Sequence, residues 1–289
     1  MSGKYSVKYN FKKICIVLFI SLKFTQVVCQ FALPIEDAST TMCPSVHNIC
    51  TDNSPHFLCS ESIAISKNCW GFEPINMTTN IKKQFIDGHN GIRNKVAEDF
   101  HIANMNLLYW SRELETVARN YLKQCKIKHD PCKYIGINNL AVNTNMLFRD
   151  RHLIDRWPSR AVRQWYLELG AEVSTGAQFM KRRRQDRTYA VNFSQMVWPK
   201  TEFLGCSAAK MFHGYLLVCY YYPPSEKLTA ANPHAVFVGK TCTRCPRLRP
   251  TCSRIFNGLC GVDILYDSAE TLALNKILYT ILFVIFWRL

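Results

Sequence analysis

No Gly-x-Ser-x-Gly elbow and no His-Glu-x-x-His helix occurs anywhere in the 289 residues. Those absences remove the serine hydrolases built on a strand-to-helix nucleophile turn and the zincin peptidases. Internal repeats and low-complexity segments are absent too, so solenoids and disordered linkers are set aside. Apolar runs are short: Ile14–Leu22 near one end and Ile277–Leu289 at the other. Neither is long enough to cross about 30 Å of hydrocarbon as a helix. Acids are scarce, 21 against 36 Lys and Arg, and none stands in the first thirty residues.

What is present first is a leader pattern. Lys4, Lys8, Lys12 and Lys13 precede the run at 14–22, and Val27-Val28-Cys29 supplies smallish residues for cleavage. That layout predicts a secretory signal peptide over 1–29 and an extracellular product. Its removal takes five lysines and leaves a net charge of about +10 from the formal +15. Outside the cell nucleic acid is not a partner; heparan-like glycans and acidic membrane surfaces are the physical candidates. The densest cationic piece, Lys181-Arg182-Arg183-Arg184 with Arg187, reads as a solvated loop ahead of a dedicated site, with a processing site third.

Twelve cysteines follow position 29, at 43, 50, 59, 69, 125, 132, 206, 219, 242, 245, 252 and 260. An even number in a secreted chain points to disulfides. A zinc reading of Cys242-x-x-Cys245 with Cys252 and Cys260 ranks behind, since no histidine pair is near.

Along the chain, 30–79 reads as an irregular arm in which Pro34, Pro44, Pro55 and Pro74 block long helices. Asn76-Met77-Thr78 is an N-glycosylation acceptor there. Ile81, Phe85, Ile92 and Val96 predict a helix over 80–97. A second is predicted over 104–125, with Ser111 as N-cap, Glu113 and Glu115 in its first turn, and Leu114, Val117, Ala118, Tyr121 and Leu122 on one face. Pro158-Ser159 opens a third over 158–169. Residues 206–211 and 215–222 read as a hairpin about Phe212-His213-Gly214, setting Cys206 opposite Cys219. From Gly239 cysteine and proline replace apolar periodicity.

Phe193-Ser194-Gln195-Met196-Val197-Trp198 followed by Gly205-Cys206 resembles a signature of the secreted CAP superfamily, the cysteine-rich secretory, antigen 5 and pathogenesis-related proteins. Within it the chain is most similar by motif to arthropod venom allergen, antigen 5-like proteins. His89-Asn90-x-x-Arg93, the 104–125 segment and Trp165-Tyr166-Leu167-Glu168 resemble further family motifs, and the spacing of Cys43, Cys50, Cys59 and Cys69 resembles the antigen 5 arm. The resemblance implies an α+β fold, an α–β–α sandwich. The expected divisions are the leader at 1–29, an arm at 30–79, the CAP domain at 80–238, a cysteine-rich extension at 239–262, and a linker with an apolar tail at 263–289. It also implies the pairs Cys43–Cys59, Cys50–Cys132, Cys69–Cys125 and Cys206–Cys219, with Cys242–Cys252 and Cys245–Cys260 in the extension.

The family's cleft carries two histidines and two acids that hold a divalent cation in several members. Carried over singly, the first histidine is His129 and the second acid is Glu168, but Ile137 replaces the first acid and Asn192 the second histidine. Two donors are too few for zinc, so no metal or other cofactor is expected. His89 is expected to tether its helix, and His129 and Glu168 to form a hydrogen-bonded remnant. The expected function is therefore a non-catalytic extracellular binding or signalling module, a monomer whose partner is a protein, glycan or lipid. A hydrolase using His129 and Glu168 is the alternative, and a sterol or fatty-acid carrier a third. The change to Asn192 also creates a sequon, Asn192-Phe193-Ser194. The tail, preceded by Asp267-Ser268-Ala269, fits a lipid-anchor signal slightly better than a packed terminal helix, which would make the protein a surface-attached one.

Overall fold

Glycine at position 205 sets the spacing of the central layers. A Cβ there would fall 2.2 Å from the backbone nitrogen of Glu115, so only a residue without one lets helix and strand approach this closely. In the computed structural model the described residues are 14–18, 26–30 and 42–263, apart from 47, 61–62, 68, 137–139, 150–155, 187, 213 and 226–234. Ile137, most of the leader and the tail from 264 onward, including the anchor signal expected there, lie outside them.

In chain order the strands are β1 (Ile14–Leu18), β2 (Gln26–Gln30), β3 (Glu73–Pro74), β4 (Tyr109–Trp110), β5 (Tyr134–Ile135), β6 (Leu140–Ala141), β7 (Asn143–Arg149), β8 (Phe203–Met211) and β9 (Gly214–Tyr222). The helices are α1 (Thr79–Asp99), α2 (Arg112–Leu122), α3 (Trp157–Leu167), α4 (Gly176–Gln185) and α5 (Val191–Met196). β1 and β2 pair as a separate ribbon, as do β5 and β6. The main sheet runs β3-β8-β9-β7, with β4 lying parallel beside β8. Pro74 sits on β3, an edge strand where its missing N–H costs no ladder bond. α2 covers one face through β8 and β9; α1, α3 and α5 form the other layer, with α5 against β7. This is the α–β–α sandwich that the motifs imply.

The helical faces are those the spacing predicts. Leu114, Val117, Ala118, Tyr121 and Leu122 of α2 are buried, and so are Phe85 and Val96 of α1. Ser111 caps α2, its Oγ accepting the Leu114 N–H at 3.1 Å. Residues 104–110 are not helical, however, and only Tyr109–Trp110 among them form a strand. There the N–H groups of Asn106, Leu107 and Tyr109 donate to the carbonyls of Pro199, Cys260 and Glu202. Tertiary pairing outweighs a helical apolar pattern in that stretch. The Lys181–Arg184 run also differs from the loop expected, because it lies in α4. Thr175 and Gln178 form a reciprocal capping box at the start of that helix.

Six disulfides join Cys43 to Cys59, Cys50 to Cys132, Cys69 to Cys125, Cys206 to Cys219, Cys242 to Cys252, and Cys245 to Cys260. Cys206 and Cys219 are direct cross-strand partners. The extension is docked on the domain and not detached from it: Cys260 exchanges backbone bonds with Met105 and Leu107, and the Gly258 N–H donates to Asn94 of α1 at 2.7 Å. Among the described residues no helix is long and apolar enough to cross a membrane.

Candidate functional site

The signature stretch folds as α5, a six-residue helix held at each end by a charge from another element. Ala190 precedes it with φ 47° and no side chain that can cap. Glu168, just beyond α3, does the capping instead. Its Oε2 accepts the N–H groups of Asn192 at 3.0 Å and Phe193 at 3.2 Å. Its Oε1 accepts the Asn192 side-chain amide at 2.6 Å. A carboxylate is favoured at a helix start, where the backbone N–H groups and the dipole both point at it.

At the other end stands Arg93, fully buried on α1. Its guanidinium donates to the carbonyls of Asn106, Met196, Trp198, Pro199 and Thr201. Burial pulls its pKa down to about 9, which leaves it a cation at neutral pH, solvated by carbonyl dipoles. His89, one turn earlier, bonds the Phe85 carbonyl through Nδ1 at 2.8 Å and the Tyr221 hydroxyl through Nε2 at 2.9 Å. Both ring nitrogens are thus engaged inside the core, and burial holds the ring neutral with a pKa of about 3. His89 tethers a helix, and is not a ligand.

β7 is the shelf that gathers the cleft positions. The Thr144 carbonyl accepts from His129 Nδ1 at 3.0 Å. Two residues on, the Met146 N–H donates to Asn192 Oδ1 at 3.4 Å. Between them the Asn145 amide donates to the Asn192 carbonyl at 2.9 Å and to the Tyr221 hydroxyl at 3.0 Å. Because Nδ1 of His129 faces a carbonyl it carries the proton, and Nε2 is the acceptor of the neutral ring. Lost hydration lowers the His129 pKa, the Thr144 carbonyl opposes that, Lys133 adds to it, and the Glu168 charge opposes it.

Sequence reasoning missed Asp130, the residue next to His129. It is buried and accepts hydrogen bonds from the Tyr220 hydroxyl and the Cys132 N–H, the latter at 2.9 Å. Desolvation lifts its pKa to about 6, against the lowering effect of those two bonds and of Lys133 and Lys126. Tyr121 secures the same loop by donating to the Lys128 carbonyl at 2.7 Å. β7 was missed as well. Its Asn-Thr-Asn start hides the alternation that marks a strand, and the apolar Met146-Leu147-Phe148 was the signal that could have found it.

Of the cleft residues, His129, Glu168 and Asn192 are gathered around β7, and Ile137 lies outside the described residues. His129 and Glu168 do not form the hydrogen-bonded pair expected of them: one is bonded to Thr144, the other to α5. Glu168 has both oxygens engaged, so it is no free general base. The Ser194 hydroxyl donates to the Ala190 carbonyl at 2.6 Å within its own helix and is not presented as a nucleophile. A divalent metal does not fit either. One free imidazole nitrogen and one carboxylate bound by three N–H groups fall short of the three protein ligands zinc needs. The clusters Cys50, His56, Cys132 and Cys242, Cys245, Cys260 have their sulfurs in disulfides. Of the two sequons, Asn76 is exposed, whereas the Asn192 amide nitrogen is spent on Glu168.

Residues 86–221 match the model of the cysteine-rich secretory protein family, CAP. The chain is 28% identical to venom allergen 5.01 of Dolichovespula maculata over 58% of its own length and 79% of the allergen's. It is 27% identical to a cysteine-rich venom protein of Tityus serrulatus over 80% of its length and 56% of that protein's. Among solved structures it superposes on NaASP2, crystallised with Zn2+, with a TM-score of 0.50 at 21% identity, covering 68% of this chain and 100% of that one. At that identity the match speaks for the fold.

Proposed function

The segment 86–221 belongs to the CAP family, and from that premise we propose that the protein is a secreted, non-catalytic binding module working through its surface and groove. The observation that carries this reading is the engagement of Glu168. Asn192 occupies a position where the family places a histidine, and its amide together with two backbone N–H groups takes up the only cleft carboxylate among the described residues. A site whose polar groups are already paired this way is suited to recognition and poor in acid–base chemistry. Retention of one extracellular component by the wild-type protein and its loss in His129→Ala, with the fold intact, is the expected result. Peptide, ester or glycoside hydrolysis above background that disappears in His129→Ala would overturn the reading in favour of the His129/Glu168 hydrolase.

A further inference from the structure

Two of the most exposed aromatic residues lie on neighbouring backbone at the hairpin end of the sheet. Trp70 is 75% exposed and Phe212 76%. They are adjacent because the Phe212 N–H donates to the Trp70 carbonyl at 3.0 Å. The register of β3 against β8 holds the same corner, with Glu73 opposite Lys210. Phe212 is at the tip of the β8–β9 hairpin, and Trp70 follows Cys69, which is bonded to Cys125 at the end of α2. The two rings therefore project from a stapled, sheet-backed corner and not from a loose loop.

The rim has a definite character. Ile65 and Ile127 are 50% and 57% exposed. They are brought to this corner by the Ser66 N–H bond to the Lys123 carbonyl and by the Cys69–Cys125 bond. Lys67 and Lys126 flank that disulfide, both exposed, and among the described residues neither pairs with a carboxylate. Burying exposed aromatics that sit on a convex tip requires an occupant that can receive protruding rings. A bilayer interface does so: Trp and Phe rings settle at headgroup depth, and lysines around them meet anionic headgroups.

We infer that this corner is a membrane-docking tip, in which Trp70 and Phe212 enter the headgroup layer of a bilayer carrying anionic lipid, with Lys67 and Lys126 reading its charge. Its aromatic pair is distinct from the residues of the His129–Asn192 site, and the inference stands whether or not that site binds anything.

The test uses the full chain with sedimented vesicles of phosphatidylcholine, with and without phosphatidylserine. Wild-type protein is expected to bind the phosphatidylserine vesicles. The double variant Trp70→Ala/Phe212→Ala should bind at least about tenfold more weakly. Lys67→Glu/Lys126→Glu should lose affinity several-fold and lose its dependence on phosphatidylserine. Both variants replace exposed side chains, and an unchanged unfolding midpoint checks that they fold. Binding that survives undiminished in the aromatic double variant would place the membrane contact elsewhere and overturn the inference. So would wild-type protein that ignores both vesicles, or that binds them equally. Self-association without lipid that the aromatic variant abolishes would assign the corner to a second copy instead, which also overturns it.

Discussion

The central domain and the C-terminal extension each bury one guanidinium, and they neutralise it by different means. Arg93 in the domain has no carboxylate partner among the described residues; five backbone carbonyls converge on it, one of them at the end of α5. Arg249 in the extension, 4% exposed, pairs with Glu202 at 2.8 Å, donates to the Leu107 carbonyl at 3.1 Å, and lies over the Tyr109 ring at 4.5 Å. The difference concerns what is left behind when the cation goes. Five carbonyls cannot change their charge state, whereas a buried carboxylate can take up a proton. The Glu202 pKa is already raised by desolvation, with Arg249 holding it down. The domain core thus depends on its arginine without recourse, and the extension has a way to relax.

The largest effect is accordingly expected for Arg93→Leu. Orphaning these carbonyls costs on the order of 5 kcal/mol, comparable with the whole stability of a domain, so the variant should fail to fold. Arg93→Lys, keeping the charge but not the fork, should fall between. A folded Arg93→Leu protein with a normal urea midpoint would break the comparison. Next comes the staple between arm and domain. Cys69→Ser with Cys125→Ser reopens a loop of 56 residues, for about 4 kcal/mol on chain entropy. Arg249→Leu should cost less, about 3 kcal/mol at neutral pH. With Arg249 gone, the Glu202 carboxyl binds its proton more tightly in the folded than in the unfolded chain. The deficit should therefore shrink as pH falls, and urea unfolding at neutral and mildly acidic pH reads it directly.

What could be read beforehand divides along the same physical line. Long apolar faces and cysteine spacing are local patterns, and α1, α2, α3, the β8–β9 hairpin and the α–β–α layering follow from them and from the motif resemblance. The groove is a matter of tertiary bonds. That Glu168 caps α5 could not be read from either segment alone, because the donors and the acceptor lie twenty-four residues apart and α5 is too short to show a period. His129 and Glu168 were expected to bond each other, and each instead bonds elsewhere, to Thr144 and to α5. The non-helical course of 104–110 is of the same kind, since its partners at 199, 202 and 260 are invisible to a window of sequence.

Asp130, on the loop between α2 and β5, gives a smaller effect. Its folded pKa of about 6 lies above the ordinary carboxyl value of 3.8. An acid whose pKa rises on folding opposes folding when ionised: the cost is full above the folded pKa, shrinks as pH falls through it, and vanishes below the unfolded one. Tyr121 and Tyr220 face the carboxyl with their pKa values raised, and Lys133 with its own lowered, all chiefly by desolvation. Lys126 adds its charge from the loop. The stability of wild type relative to Asp130→Asn should rise by about 2 kcal/mol between pH 7 and pH 4. A flat difference profile would mean that folding leaves the Asp130 pKa at its unfolded value.

The smallest effect is expected from metal, and it tests whether the groove resembles the core or the extension. Where the extension neutralises one charge with another, a metal site would need the groove to do the same with a cation supplied from solution. Its carboxylate is already satisfied by N–H groups at 3.0, 3.2 and 2.6 Å, so a metal ion would first have to uncap α5. That exchange sacrifices about as much as one new ligand returns. Micromolar zinc should therefore leave the unfolding midpoint of the wild-type chain where it is. A bound ion at a hundred times its dissociation constant would add about 2.7 kcal/mol, a rise of several degrees that calorimetry would not miss. Asn192→His sharpens the outcome. It frees one oxygen of Glu168 from its amide partner and places a second imidazole beside β7, at a cost of about 1 kcal/mol in the absence of metal. If zinc then stabilises the variant and not the wild type, the single substitution at 192 is what separates a metal groove from this one. A clear rise in the wild type itself would show that the capped carboxylate yields to an ion, and that Glu168 is less committed to α5 than its three bonds indicate.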